Sequence, residues 1–141
     1  MNSEAKTVHA SCVACDGAGV LILGASGAGK SGLALNLMAL GAALVADDRV
    51  VLSREGDVVL AACPLPLRGL IEARGIGILR AEPHPPVRLG LVVDLDQRET
   101  LRLPPKRWYR AMGVPIDLVF NGVGGHFPAA VLQLVKAGRA E

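Results

Sequence analysis

Eight consecutive residues, Gly24-Ala25-Ser26-Gly27-Ala28-Gly29-Lys30-Ser31, carry the densest chemistry in the chain. They fit the pattern G-x4-G-K-[ST]. The apolar run Val20-Leu21-Ile22-Leu23 precedes them and a helical stretch follows. In that setting the backbone N–H groups of the loop can wrap phosphate oxygens, and the glycines let the main chain approach without Cβ clashes. Lys30 can set its charge on the β- and γ-phosphates of a nucleotide, while the Ser31 hydroxyl can ligate Mg²⁺. The helix that follows adds the positive end of its dipole.

A phosphate loop alone names a nucleotide and no reaction, so the other polar clusters decide the chemistry. Asp47 and Asp48 follow an apolar run about sixteen residues after the loop. Enzymes with this loop place an acid at such a strand end to hold Mg²⁺ or its water. Two adjacent carboxylates offer two roles, one for the metal and one for a substrate hydroxyl proton. On a strand they would point in opposite directions. In Ile71-Glu72-Ala73-Arg74-Gly75-Ile76-Gly77-Ile78, Glu72 and Arg74 would share one strand face, a carboxylate beside a guanidinium with glycines that admit close approach. Read alone, that pair is also a plain surface ion pair. His9 sits beside apolar residues, where a histidine is more often structural than functional.

Other chemistries are disfavoured by what is missing. No N-K-x-D motif is present to read a guanine base. Small-metabolite kinases of this loop class carry an arginine-rich lid. Arg107 and Arg110 are candidates, but the stretch is short and close to the end, and a solvated helix with a basic face is the better account of them. The three cysteines, Cys12, Cys15 and Cys63, cannot form a fully paired disulfide set. A zinc site from these and His9 lacks the usual ligand spacings, which leaves buried strand cysteines as the reading.

The elements that must hold these groups can be read from periodicity. Strands are expected over 8–14 and 20–23, joined through Asp16-Gly17-Ala18-Gly19 as a hairpin. Leu33, Leu37 and Leu40 recur at helical spacing, which predicts a helix over 31–40 stopped by Gly41. A short buried strand over 42–46 delivers the paired aspartates. Residues 50–53 and 58–62 flank Arg54-Glu55-Gly56-Asp57 as a second hairpin. Residues 70–79 alternate, 80–86 read as a mobile proline-containing loop, and 87–95 as a central strand. Residues 104–112 are expected to form a short helix begun by prolines, 114–120 an extended segment, and 128–136 a closing amphipathic helix.

The 141 residues suffice for one domain, 1–141, with residues 1–6 frayed. Half the residues are hydrophobic but only 3% are aromatic, so the core must be aliphatic. Scarce rings and a net charge of only +2 argue against a nucleic-acid partner. No apolar run approaches the roughly 18 residues of a membrane span, and residues 1–7 lack an apolar signal core, so a cytoplasmic protein is expected.

Taken together, the 8–9 strand start, the 24–31 loop, Leu44-Val45-Ala46-Asp47-Asp48 and above all the 71–78 run resemble the catalytic C-terminal domain of HPr kinase/phosphorylase. The 71–78 run is similar to that family's signature, I-E-[IV]-R-G-[LI]-G-I, and the resemblance covers about residues 8–80 well. It implies an α/β fold: a P-loop domain with a mixed β-sheet flanked by helices, like phosphoenolpyruvate carboxykinase. It implies an ATP- and Mg²⁺-dependent kinase that phosphorylates a serine of the phosphocarrier HPr, and assembly as a hexamer. By position it gives Lys30 the transferring phosphoryl group, Asp47 the serine proton, His9 and Arg74 places in the active site, and Ser31, Glu72 and Asp48 the metal side. The chain is similar to the short, kinase-domain-only branch of α-proteobacteria, where HPr serves a regulatory phosphotransfer system. The longer enzymes carry a basic P-V-R-P-G-R loop linked to dephosphorylation. Its nearest counterpart here, Val114-Pro115-Ile116-Asp117-Leu118, has an aspartate where the first arginine belongs, so the phosphorylase reaction is expected to be weak or absent. An ATP-binding regulator without kinase activity and a small-metabolite kinase are the competing expectations.

Overall fold

Asp16 and Gly17 both adopt positive φ, 53° and 78°. This two-residue turn matches the right-handed strand twist and folds β2 (Ala10–Cys15) back on β3 (Ala18–Leu23). The computed structural model describes residues 4–122 and 124–140. Residues 8–14 do not form one strand. β1 (Lys6–Val8) pairs with β5 (Val50–Glu55), whereas β2 pairs with β3 and with β4 (Ala43–Ala46). The chain changes partners at His9, which leaves that residue between two strands. Of the six residues expected to be frayed, 1–3 lie outside the described residues and Lys6 already belongs to β1.

Among the described residues nine strands join one mixed sheet in the order β1-β5-β6-β9-β3-β2-β4. β6 spans Val58–Ala62 and β9 spans Val87–Arg98, and a hairpin of β10 (Arg107–Ala111) and β11 (Val114–Asn121) is attached to β9. β3 and β11 (Val114–Asn121) run parallel to β9, so three carboxyl ends open on the same edge. β9 is 12 residues long and central, as its apolar run requires. Its pairing with β3 slips one residue at Gly90. This bulge puts Val87 and Leu89 on one face of the sheet and Leu91 and Val93 on the other. A Cβ on Gly90 would lie 3.0 Å from that of Ala18, so only glycine fits without displacement.

Each face of the sheet has its own core. One is closed by the curl of the sheet on itself and contains Cys12, Leu21, Val45, Leu52, Val59 and Val92. The other lies between the sheet and two helices, α1 (Lys30–Ala39) and α2 (Phe127–Ala137), which contribute Leu33, Leu37, Val131 and Leu132. α1 stops at Leu40, and Gly41 at φ 114° reverses the chain. The scarcity of rings is met as expected by an aliphatic interior. Cys12 and Cys15 are buried and Cys63 partly buried, all as free thiols.

Three expectations need correction. Residues 104–112 form no helix: Arg107–Ala111 is a strand, β10, paired antiparallel with β11. Arg107 and Tyr109 are half-buried while Trp108 and Arg110 are exposed, a period of two. The hairpin turn is Met112-Gly113 at φ 50° and 84°, and methionine carries none of the usual turn signal. Residues 70–79 are a hairpin and not a single strand, with β7 (Leu70–Ala73) turning through 74–76 into β8 (Gly77–Arg80). The 80–86 segment is anchored: Ala81 N–H donates to the Gly69 carbonyl at 2.9 Å and His84 N–H to that of Leu44 at 2.8 Å.

Candidate active site

β3 ends at Leu23 on the open edge of the sheet, and residues 24–29 turn the chain into α1. Gly29 caps the helix at φ 103°, a conformation that a side-chain-bearing residue adopts only under strain. Lys30 is buried although charged. Its Nζ donates to the carbonyls of Gly24 at 2.8 Å and Ala25 at 3.2 Å, so the ammonium sits inside the curl of the loop. The Ala28 N–H donates to the Ala25 carbonyl at 2.9 Å and tightens that curl. The Ala25 N–H is taken by the Asp96 carboxylate at 3.0 Å, which ties the loop to the end of β9.

β4 ends at Ala46, just before the two aspartates, so strand geometry does not separate them. Asp48 has φ 73°, a left-handed conformation that short polar side chains tolerate best. Their surroundings differ sharply. Asp47 is 6% exposed and accepts three hydrogen bonds. Oδ1 takes Ser11 Oγ–H at 2.6 Å and Ser31 Oγ–H at 2.7 Å, and Oδ2 takes the Glu72 amide at 3.1 Å. The Asp48 side chain is 57% exposed; its Oδ1 lies 3.0 Å from His9 Nε2, and its Oδ2 lies 3.7 Å from Arg49 Nε.

These groups share one cleft of about 300 Å³. It is lined by His9, Ser26, Gly27, Gly29, Lys30, Ser31, Asp47, Asp48, Glu72 and Arg74, with Gly32 and Leu35. Every residue expected to act in catalysis or on the metal side reaches it. Of the loop residues expected to bind phosphate, Gly24, Ala25 and Ala28 do not line it; they hold Lys30 and shape the turn. Arg74 arrives from the β7–β8 turn and not from the strand face of Glu72. A larger groove of about 560 Å³ lies between α2 and the β10–β11 hairpin. Its lining is largely apolar and includes no residue of the 24–31 loop and neither Asp47 nor Asp48, whereas the expected catalytic and metal-side residues all line the smaller cleft.

Sequence reasoning missed two members of this arrangement. Ser11 is fully buried, a lone hydroxyl in an apolar strand, and that isolation was its only signal. Asp96 is a carboxylate at the end of a central parallel strand, the place where such folds gather ligands.

The donor set suits Mg²⁺. Ser31, Asp47, Asp48 and Glu72 offer only oxygen, the ligand that this cation takes. Among the described residues no three His, Cys, Asp or Glu side chains cluster as a metal cage. Mg²⁺ at phosphates takes one or two carboxylates and fills the rest of its shell with phosphate and water.

Comparison with known proteins identifies the family. Residues 2–84 match the family model described as the HPr Serine kinase C-terminal domain. The chain is 41% identical over 128 residues to an HPr kinase/phosphorylase of Aromatoleum aromaticum, covering 81% of this chain and 41% of that one. It is 39% identical over 138 residues to the enzyme of that name from Cupriavidus metallidurans, covering 89% and 43%. The chain thus spans less than half the length of these curated relatives. The solved Hpr(Ser) kinase/phosphatase of Coxiella burnetii superposes with a TM-score of 0.78 at 26% identity, over 93% of this chain and 94% of that one. The match to the family model over more than half its residues and its identity to these relatives both place the chain in the HPr serine kinase C-terminal domain family.

Proposed function

We propose that the chain is an ATP- and Mg²⁺-dependent kinase whose acceptor is a serine of an HPr-type phosphocarrier. The observation that carries this reading is the convergence in one cleft of the Ser31–Asp47 hydrogen bond (2.7 Å) and the His9–Asp48 pair (3.0 Å), beside the phosphate loop. The first is the arrangement by which a buried aspartate steadies a metal-binding serine. The second is an exposed carboxylate free to meet an incoming hydroxyl.

The residues divide the work as follows. The backbone of the loop and Lys30 hold the β- and γ-phosphates. Mg²⁺ held by Ser31 and Glu72 would neutralise charge on those phosphates. The acceptor serine Oγ attacks the γ-phosphorus, the bond from that phosphorus to the β–γ bridging oxygen breaks, and ADP departs. The hydrogen bonds favour exchanging the roles that the resemblance implied for the aspartates. Asp47 has both oxygens engaged by three donors, Ser11, Ser31 and the Glu72 amide. Asp48 is exposed and steadied by His9, and it takes the serine proton. Arg74 stands at the rim, where its charge can meet the transferring phosphoryl group. The reading includes a homo-oligomer, a hexamer in the family, and a cytoplasmic setting.

Residues 114–118 support a weak or absent reverse reaction. They lie within β11 and form no free basic loop, and Asp117 is bound by Arg139 at 3.2 Å. The test is incubation with ATP, Mg²⁺ and purified HPr-type carriers, followed by mass spectrometry. Phosphoserine on the carrier is expected, and Asp48→Asn should retain ATP binding while transfer falls about 10²–10⁴-fold. ATP binding without any phosphoserine would point instead to a nucleotide-dependent regulator.

A further inference from the structure

Ser11 lies in β2, fully buried, with a residue of β3 or β4 on either side of its strand. A hydroxyl there has been withdrawn from water, and its partner is the Asp47 carboxylate at 2.6 Å. That same oxygen, Oδ1, accepts the Ser31 hydroxyl at 2.7 Å. Two hydroxyls from different elements, β2 and the start of α1, thus converge on one carboxylate oxygen, while the other oxygen is fixed by the Glu72 amide. No buried side-chain polar atom is left unpaired among the described residues, so the set is closed.

We propose that Ser11 is a positioning residue for the metal site. It acts through Asp47 on the orientation of Ser31 and on the backbone that presents Glu72. The inference rests on the kinase reading above. The physical reason is directional. An oxygen of Asp47 that accepts from Ser31 keeps the Ser31 hydrogen turned toward β4, which leaves the Ser31 lone pairs facing the cleft. Asp47 can do this only while its own plane is fixed. The Glu72 amide fixes one oxygen, and Ser11 fixes the other from the buried side. Without Ser11 the carboxylate can rotate about its Cβ–Cγ bond, and both Ser31 and the Glu72 amide lose a partner of defined direction. Loss of a partner hydrogen-bonded to a metal ligand, as Asp47 is to Ser31, shifts metal affinity by about 10–100-fold. Ser11 acts one bond further out, and its loss frees that partner, so the effect belongs at the low end of that range.

The test uses the full chain with Ser11→Ala and Ser11→Thr, ADP as the nucleotide and Mn²⁺ as a paramagnetic probe of the Mg²⁺ site. Ser11→Ala should raise the Mn²⁺ concentration for half-saturation of the ADP complex by about 10-fold. Ser11→Thr, which keeps the hydroxyl, should stay within about threefold of wild type. A second readout needs no metal or nucleotide. Hydrogen exchange at the Glu72 amide should quicken in Ser11→Ala, while amides of the β5–β6 hairpin keep their protection. Should Ser11→Ala not fold, Ser11→Cys, of similar volume but a weaker donor, is read in the same titration with the same expected rise. An unchanged Mn²⁺ requirement in the folded Ala or Cys variant overturns the proposal, as does a Thr variant as impaired as Ala, which would mark a packing role. If wild type itself takes up no Mn²⁺ with ADP, it is the kinase reading that has failed.

Discussion

Adjacent aspartates of the same chemistry acquire different uses through burial. Asp47 is enclosed and triply bonded, and Asp48 is open and paired with a histidine. The sequence shows two carboxylates but not which of them faces the interior, because the chain leaves β4 before Asp47 and kinks at Asp48. Burial also sets the behaviour of Cys12, whose thiol is pushed up from the usual 9.0 to about 12 by loss of water. The unfolded chain releases this proton near 9.0 and the folded chain holds it to about 12. Folding stability from this group is therefore complete below pH 9 and lost as pH rises from 9 toward 12, with a slope of about 1.4 kcal/mol per pH unit. Urea unfolding of wild type and Cys12→Ala at a series of alkaline pH values should show a shallower decline in the variant. Equal slopes would mean that the buried thiol does not contribute.

At the scale of elements, what was legible was what periodicity controls. α1, β9 and the β2–β3 and β5–β6 hairpins follow from apolar spacing and from glycine-containing turns. The 71–78 run was recognisable as a string of residue types, yet its shape was not, because Arg74 to Ile76 could equally continue a strand or turn it. β10 was misread because prolines before it suggest a helix start, while the turn after it uses Met112 in a glycine-like conformation. The candidate site was legible where residue type suggests the chemistry, as at Lys30 and Glu72, and both line the cleft. It was opaque at Ser11, whose role depends on a partner 36 residues away. The same logic grades the leucines of α1. Leu37 is fully buried between α1 and the sheet, and Leu40 is 51% exposed just past the helix. Leu37→Ala should cost about 2–5 kcal/mol, and Leu40→Ala within about 0.5 kcal/mol. Urea denaturation of both checks the assignment of the buried helix face, and equal losses would refute it.

For the molecule as a whole, the sheet order places the paired aspartates and His9 on one flank of the loop and the ends of β9 and β11 on the other. A nucleotide tail held as proposed would bridge β3, β4 and α1, elements that between them reach both cores. A ligand bound there stabilises the entire domain, and it can do so only by binding the folded chain more tightly than the unfolded one. At a concentration about 100 times its dissociation constant, Mg·ATP adds about 2.7 kcal/mol. For a chain of 141 residues that corresponds to a rise in Tm of about 9 °C. Lys30→Ala removes the charge at the centre of the curl and should abolish the shift. Asp48→Asn should keep it while losing phosphoryl transfer, if the proposed division holds and its carboxylate serves the acceptor rather than the phosphates. Thermal melts with and without Mg·ATP on the three proteins thus separate binding from catalysis. A shift retained in Lys30→Ala would move the nucleotide out of the 24–31 loop.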